Sequence, residues 1–166
     1  MNAHQEKLIQ GLLEQPDGLG ELVPNSKGIA KIKAGLDSLK LGGSDWAACV
    51  RSGLYMRFNF LDESHTISQG IHTVEGSYWH AIMHRREPDY SNAKYWFQRV
   101  GPHPVFEELA KSEAAKAALG TAQYDPFVFV DFCASAERDD LKRTLAIDVQ
   151  RTEWELLFAY CCQNVP

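Results

Sequence analysis

The chain has 166 residues, with 17 Lys and Arg against 22 Asp and Glu, which gives a formal net charge of -5. This length is typical of one domain, and we predict a single helical domain over residues 1–166. The acidic balance argues against an extended basic surface, so we do not expect nucleic acid as a partner. No stretch approaches the roughly 18 apolar residues of a membrane span, so we do not expect a membrane as a partner.

The four cysteines show no spacing that is typical of a metal or redox motif. They lack a CxxC pair, so we interpret them as buried thiols rather than as a zinc ribbon or a thioredoxin-type site. The first 16 residues lack the continuous apolar run of a signal peptide. These features predict a cytoplasmic protein with reduced thiols.

The first segment, residues 1–44, is predicted to contain an entry helix and a Gly-rich loop. Residues 4–15 place apolar side chains on one helical face, and Pro16 ends the pattern. That face is compatible with core packing or with a homo-oligomer. Residues 17–44 hold six glycines and predict a loop with at most a brief helix near "AGLDSLK".

Residues 45–166 are predicted to form the helical core. The run "WAACVRSGLYMRFNFLDES" repeats apolar residues at helical spacing and predicts one core helix. "HPVFEELAKSEAAKAALG" predicts another helix, and Pro126 favours a helix over a strand for "DPFVFVDFCASAE". With the final run from "RDDLKRTL" onward, the pattern predicts an all-α bundle of six or seven helices.

The central stretch "GSYWHAIMHRREPDYSNAKYWFQRVGPHP", residues 76–104, predicts a helical hairpin. Pro88 disfavours helical geometry at Glu87, Asp89 or Ser91 caps the second helix, and Gly101 ends it. Small, aromatic and proline residues stand at five spaced positions, namely Ala81, Tyr90, Ala93, Phe97 and Pro104. Their pattern resembles one tetratricopeptide or Sel1-like repeat, which implies a close antiparallel pair of helices.

The match to that repeat covers one unit, and His80 stands where the repeat usually has leucine. A solenoid needs about three units. The longer signature "EGSYWHAIMHRREPDYSNAKYWFQRVG" with "HPVF" also resembles a family of uncharacterised bacterial and fungal proteins, and this resemblance implies no activity.

Histidines in this region suggest a metal site. His80 and His84 are four residues apart and Glu87 follows three residues later, so all three project from one helical face. With His72 or His65 as a further ligand, such a set suits Zn, Fe or Mn. The pair lacks the central glutamate of HExxH, so no general base comes with it. The alternative is that both histidines are hydrogen-bonded interior residues.

The same hairpin also predicts a pocket for an anion. Its donors and aromatic groups are His80, His84, Arg85, Arg86, Tyr90, Asn92 and Lys94. Guanidinium groups and helix N-termini suit carboxylates and phosphates. Alternatively, one arginine pairs with Glu87 or Asp89 and the other covers a tryptophan ring.

The leading prediction is therefore a helical protein that binds a small anionic organic ligand in a His/Arg/Tyr pocket. A metal-dependent enzyme that uses His80, His84, Glu87 and His72 is the first alternative. A protein-interaction module of tetratricopeptide type is the second. Neither GxSxG nor a Gly-rich phosphate loop is present, so nucleophilic or nucleotide chemistry has little support.

Overall fold

The structure, a computed structural model, describes all of residues 1–166 and contains ten α-helices, one short 3-10 helix and no strand. The α-helices are α1 (Ala3–Leu13), α2 (Ala30–Ser38), α3 (Asp45–Arg57), α4 (Leu61–Ser68), α5 (Val74–Arg86), α6 (Tyr90–Val100), α7 (Pro104–Lys111), α8 (Glu113–Leu119), α9 (Pro126–Ser135) and α10 (Asp140–Asn164). The 3-10 helix covers Ala136–Arg138. The all-α prediction is confirmed, whereas the predicted count of six or seven helices is wrong.

The predicted core helix after residue 45 is divided into α3 and α4 by a turn at Asn59. Asn59 has a φ of 61°, a left-handed conformation that asparagine tolerates better than most residues. Its side-chain oxygen accepts a hydrogen bond of 2.7 Å from Arg86. The apolar periodicity continues across this turn, so the spacing alone does not reveal it.

The predicted helix after Pro104 is divided in the same way at Ser112. Ser112 is extended, with φ -70° and ψ 142°, and its hydroxyl accepts a hydrogen bond from the N–H of Ala115. It is therefore the N-cap of α8. In the Gly-rich region the predicted brief helix is the longer α2, which buries Ile32 and Leu36.

Helix α5 lies at the centre of the bundle. Every residue from Gly76 to Arg86 is buried, because α5 packs against α3, α4 and α6. The long helix α10 closes the other side of the core, where it packs against α3, α7, α8 and α9. The rings of Trp154 and Phe158 stack in this core with centroids 4.5 Å apart. Polar residues of α5 therefore face neighbouring helices rather than water.

None of the helices combines the length and the apolarity that crossing a bilayer requires.

Candidate metal centre

Helices α4 and α5 bring three histidines together. His65, His80 and His84 each offer one ring nitrogen, and these three atoms lie within 4.8 Å of one another. The ring centroids of His80 and His84 are 4.7 Å apart, as the four-residue spacing on α5 dictates. His65 reaches them from α4, with its centroid 4.7 Å from that of His80.

The cluster has a buried side and an accessible side. His80 and His84 are 2% and 6% exposed, because both belong to the central helix. His65 is only partly buried, so it lies where solvent meets the cluster. Trp96 of α6 covers His80, with ring centroids 4.2 Å apart. A ligand could therefore approach the cluster from the side of His65.

A serine fixes the orientation of His80. The Ser68 hydroxyl lies 2.8 Å from Nδ1 of His80 and 3.3 Å from the carbonyl oxygen of His65. When the hydroxyl donates its single proton to the carbonyl, it accepts a hydrogen bond from Nδ1–H. In that tautomer the lone pair of His80 is on Nε2, available to a metal ion.

His84 faces two carboxylates. Its Nδ1 lies 3.7 Å from Oε2 of Glu87 and 3.9 Å from Oδ2 of Asp89, distances too long for hydrogen bonds. This nitrogen is buried and has no hydrogen-bond partner. Metal-ligating histidines usually donate their second N–H to a carboxylate or a carbonyl, and Glu87 stands in that position.

Burial keeps the histidines of α5 neutral. Burial, together with the neighbouring His84 and His65, lowers the pKa of His80 to about 3. Burial and His65 also lower the pKa of His84, while Asp89 opposes the shift. Neutral imidazole is the form that binds metal ions. At neutral pH both rings are therefore ready to act as ligands.

Burial also acts on Glu87, whose pKa it raises despite the opposing influence of His65. The pKa of Asp89 is lowered, mainly because its carboxylate accepts a hydrogen bond from the N–H of Asn92. The two carboxylates beside His84 thus have different environments. Glu87 is the one that is not already engaged in capping a helix.

The spacing of the three nitrogens suits a metal ion after small side-chain rotations. Zinc–nitrogen bonds of about 2.0–2.1 Å place ligand nitrogens roughly 3.4 Å apart in a tetrahedral site. Three protein ligands leave at least one position open, as in catalytic zinc sites. Two histidines with Glu87 would instead form the ligand set of non-haem iron enzymes.

The two predicted arginines point in different directions and are both buried. Arg85 pairs with Glu153, and neither side chain is exposed. Its guanidinium carbon lies 4.6 Å from the centroid of Phe129. Burial opposes the charge of Arg85, but the carboxylate of Glu153 outweighs this and raises its pKa. This arginine therefore holds the core together.

Arg86 binds backbone instead of an acidic partner. It donates hydrogen bonds to the carbonyl oxygens of Met56, Gly18 and Glu21, at 2.7, 2.9 and 3.3 Å. Burial and the neighbouring Arg85 lower its pKa to about 9. Arg86 thereby fastens the Gly-rich region to the turn between α3 and α4.

The remaining predicted ligand-binding residues have separate partners on the surface. The hydroxyl of Tyr90 donates to Glu137, the ammonium of Lys94 to Asp131, and the amide of Asn92 to Asp89. These contacts do not bring the side chains into one pocket with His80 and His84. His72 is exposed and lies outside the histidine cluster.

Two buried residues, one beside the histidine cluster and one in the core, could not be identified from the sequence. Ser68 precedes His80 by 12 residues, and Glu153 accepts hydrogen bonds from Tyr78 and Tyr124, at 3.1 Å each. Both depend on how separate helices pack. His65 is close to His72 and His80 in sequence, so it was one of two candidates for a further metal ligand. The sequence spacing alone did not favour His65 over His72.

A polar groove of about 270 Å³ has Glu87 in its lining but none of the three histidines. It is lined by Pro24, Asn25, Ser26, Lys27, Asn59, Leu61, Asp62 and Glu87. Glu87 belongs to both places, since it lines the groove and lies beside His84.

Comparisons with protein-family models, with curated proteins and with solved structures give no match, so the function is inferred from the site itself.

Proposed function

We propose that the protein binds a transition metal ion through His65, His80 and His84 and uses it in metal-dependent chemistry. The observation that carries this proposal is the approach of three ring nitrogens, from two helices, to within 4.8 Å of one another. Single histidines are common in helical cores. Three that converge on one point, one of them partly exposed, offer a donor set for a metal ion.

The chemistry of the donors favours zinc, iron or another divalent ion of similar preference. Imidazole suits Zn and Fe, whereas Mg and Ca prefer oxygen ligands. An ion held by three neutral histidines keeps its positive charge, so it would polarise a bound water or a substrate oxygen. Glu87 is the carboxylate best placed to orient His84 or to take up a proton from such a water.

The test is to measure metal content and metal-induced stabilisation in protein purified without an affinity tag. We expect about one equivalent of metal per chain in the untreated protein. After removal of the metal, Co²⁺ or Zn²⁺ at 100 times its dissociation constant should stabilise the fold by about 2.7 kcal/mol. For a chain of this size, that corresponds to a rise of roughly 5–11 °C in Tm.

Matched histidine variants make the test specific. His84→Ala and His65→Ala should each lose the stabilisation, while His72→Ala should keep it, because His72 is exposed and outside the cluster. If His84→Ala and His72→Ala respond equally to Co²⁺, the metal is bound elsewhere and the proposal is wrong. Absence of any bound metal together with absence of stabilisation would also refute it.

The tetratricopeptide-like prediction for α5 and α6 concerns shape more than function. Ala81 and Ala93 are both completely buried, which supports the close helix packing that the repeat pattern implies. An interaction module of this type presents a groove, however, and α5 is buried from Gly76 to Arg86. The hairpin supports the histidine site better than it supports a peptide-binding role.

A cytoplasmic location is part of the same proposal. All four cysteines are free thiols, and three of them are buried. Burial raises the pKa of Cys133 to about 12, which keeps that thiol protonated and unreactive. Such thiols are typical of a reducing compartment.

A further inference from the structure

We propose that an aromatic cleft between α6, α7 and the start of α9 binds the quaternary ammonium group of a small organic cation. The cleft has a volume of about 390 Å³, within the range of small-molecule pockets. None of its lining residues belongs to α4 or α5, so it is separate from the histidine cluster. This inference therefore does not depend on the proposed metal site.

Aromatic rings dominate the lining of the cleft. Four of its nine lining residues are aromatic, namely Phe97, Phe106, Tyr124 and Phe127. The ring centroid of Phe106 lies 6.3 Å from that of Phe97 and 5.6 Å from that of Tyr124. Phe97 and Tyr124 are 1% and 9% exposed, whereas Phe127 is 37% exposed. The rings thus extend from the buried base of the cleft to its exposed rim.

The charge of the lining is negative. Asp125 is the one charged residue that lines the cleft. Its Oδ1 accepts hydrogen bonds from the N–H groups of Phe127 and Val128, at 2.8 and 3.4 Å, whereas Oδ2 has no such partner. A full negative charge exceeds the roughly half positive charge of the helix N-terminus that Asp125 caps. The cleft therefore favours a cation.

A buried ion pair lies behind the rings. The guanidinium carbon of Arg85 is 6.0 Å from the ring centroid of Phe97. Glu153 balances this charge and accepts a hydrogen bond of 3.1 Å from the hydroxyl of Tyr124. The pair is neutral overall, so it does not reverse the charge preference of the cleft. The same hydrogen bond fixes the ring of Tyr124 before any ligand arrives.

The combination of rings and one carboxylate distinguishes between kinds of cation. A primary ammonium needs acceptors for three N–H donors. A quaternary ammonium has no N–H group, so aromatic faces within about 6 Å and one counter-charge are sufficient to replace its water. Cages of aromatic rings are a common solution for binding such groups. The lining has no basic residue, so it does not suit a phosphate or a carboxylate.

The experiment is isothermal titration calorimetry of the protein with choline chloride at constant ionic strength. The matched ligand control is the carbon analogue of choline, in which a neutral quaternary carbon replaces the nitrogen. Both compounds have the same shape, so their difference in affinity measures the contribution of the charge. We expect choline to bind about tenfold more tightly than its carbon analogue.

Variants of two lining residues separate the rings from the carboxylate. Phe127→Leu keeps an apolar side chain but removes one ring, and it should weaken choline binding about fivefold, whereas Phe127→Tyr should keep it. Asp125→Asn keeps a capping side chain but removes the charge, and it should weaken choline binding roughly threefold. Asp139→Asn is the matched control, because Asp139 caps α10 and lies outside the cleft. It should bind choline like the unaltered protein.

A second arm distinguishes a free ligand from a lipid headgroup. Phosphatidylcholine vesicles carry the same ammonium group, and we expect the protein not to sediment with them. Binding to the vesicles without binding to free choline would overturn the proposal of a small soluble ligand.

The remaining outcomes are equally decisive. Equal affinity for choline and its carbon analogue would show that the cleft is merely apolar, and the proposal would be wrong. The same conclusion follows if choline does not bind, or if Asp139→Asn weakens binding as much as Asp125→Asn. Treatment of the protein with a chelator should leave choline binding unchanged, so failure of the metal site and failure of this cleft are separate results.

Discussion

Replacement of Glu153 by glutamine tests the role assigned to the buried arginine. Glu153 is completely buried and accepts hydrogen bonds from Arg85, Tyr78 and Tyr124. The glutamine oxygen can still accept from the tyrosines, but the variant leaves the guanidinium of Arg85 without a counter-charge. Its Nε and Nη1 already lack hydrogen-bond partners, so no other group in the core compensates.

The expected loss follows from the burial of both partners. Removal of one member of a buried ion pair costs about 3–5 kcal/mol, since the other charge remains buried and unpaired. For a chain of 166 residues this loss corresponds to a fall of roughly 6–20 °C in Tm. Urea unfolding followed by circular dichroism measures it, with an unchanged slope as the sign that the same surface is exposed on unfolding.

Two variants complete the test. Asp131→Asn, which breaks the exposed pair with Lys94, should cost less than about 1 kcal/mol. The double variant Arg85→Met, Glu153→Gln should recover most of the stability lost in Glu153→Gln, because it removes both buried charges while the glutamine oxygen still accepts hydrogen bonds from Tyr78 and Tyr124. A loss below about 1 kcal/mol in Glu153→Gln would refute the view that this pair is a tightly coupled core element.

Two further predictions concern stability. Gly76→Ala should destabilise the fold because the added carbon would lie 2.5 Å from Cβ of Ile71, whereas Gly11→Ala, with nothing within 4 Å, should stabilise α1 by about 0.5–1 kcal/mol in the same urea assay. The metal-free protein should lose stability as pH falls below 6.5, because the folded state holds the pKa of His80 near 3 and the unfolded chain takes up the proton first. In His80→Asn, the free energy of unfolding should fall less steeply with falling pH, by roughly 1 kcal/mol per pH unit. An unchanged slope would contradict the view that His80 causes the loss of stability.

The sequence predicted the helical class and the central hairpin well, because these depend on local patterns. Apolar periodicity, the proline at 88 and the capping residue Asp89 define α5 and α6 without help from distant contacts. The helix breaks at Asn59 and Ser112 were missed for the opposite reason. Asn59 is held in its left-handed conformation by Arg86, and this contact between distant residues has no local signature.

The same distinction explains the site. His80 and His84 could be paired from their spacing, since one helix fixes their relation. The choice between His65 and His72 depends on how α4 packs against α5, and the structure favours His65. Arg85 and Arg86 were predicted to donate hydrogen bonds to an anion, because adjacent arginines are unusual in a helical hairpin. Their actual partners, Glu153 and backbone carbonyl oxygens, come from segments that are distant in sequence.

The cost of the histidine cluster is itself an argument for a bound ion. His80 lies in the buried part of α5. A leucine at this position would need no hydrogen-bond partner such as Ser68 and no lowered pKa to stay uncharged. His84 buries a nitrogen that has no hydrogen-bond partner, which typically costs about 1–3 kcal/mol. A metal ion would draw on the lone pairs of both rings and let His84 close on Glu87, 3.7 Å away. Hydrophobic packing alone does not account for this arrangement, whereas the proposed metal site would use it.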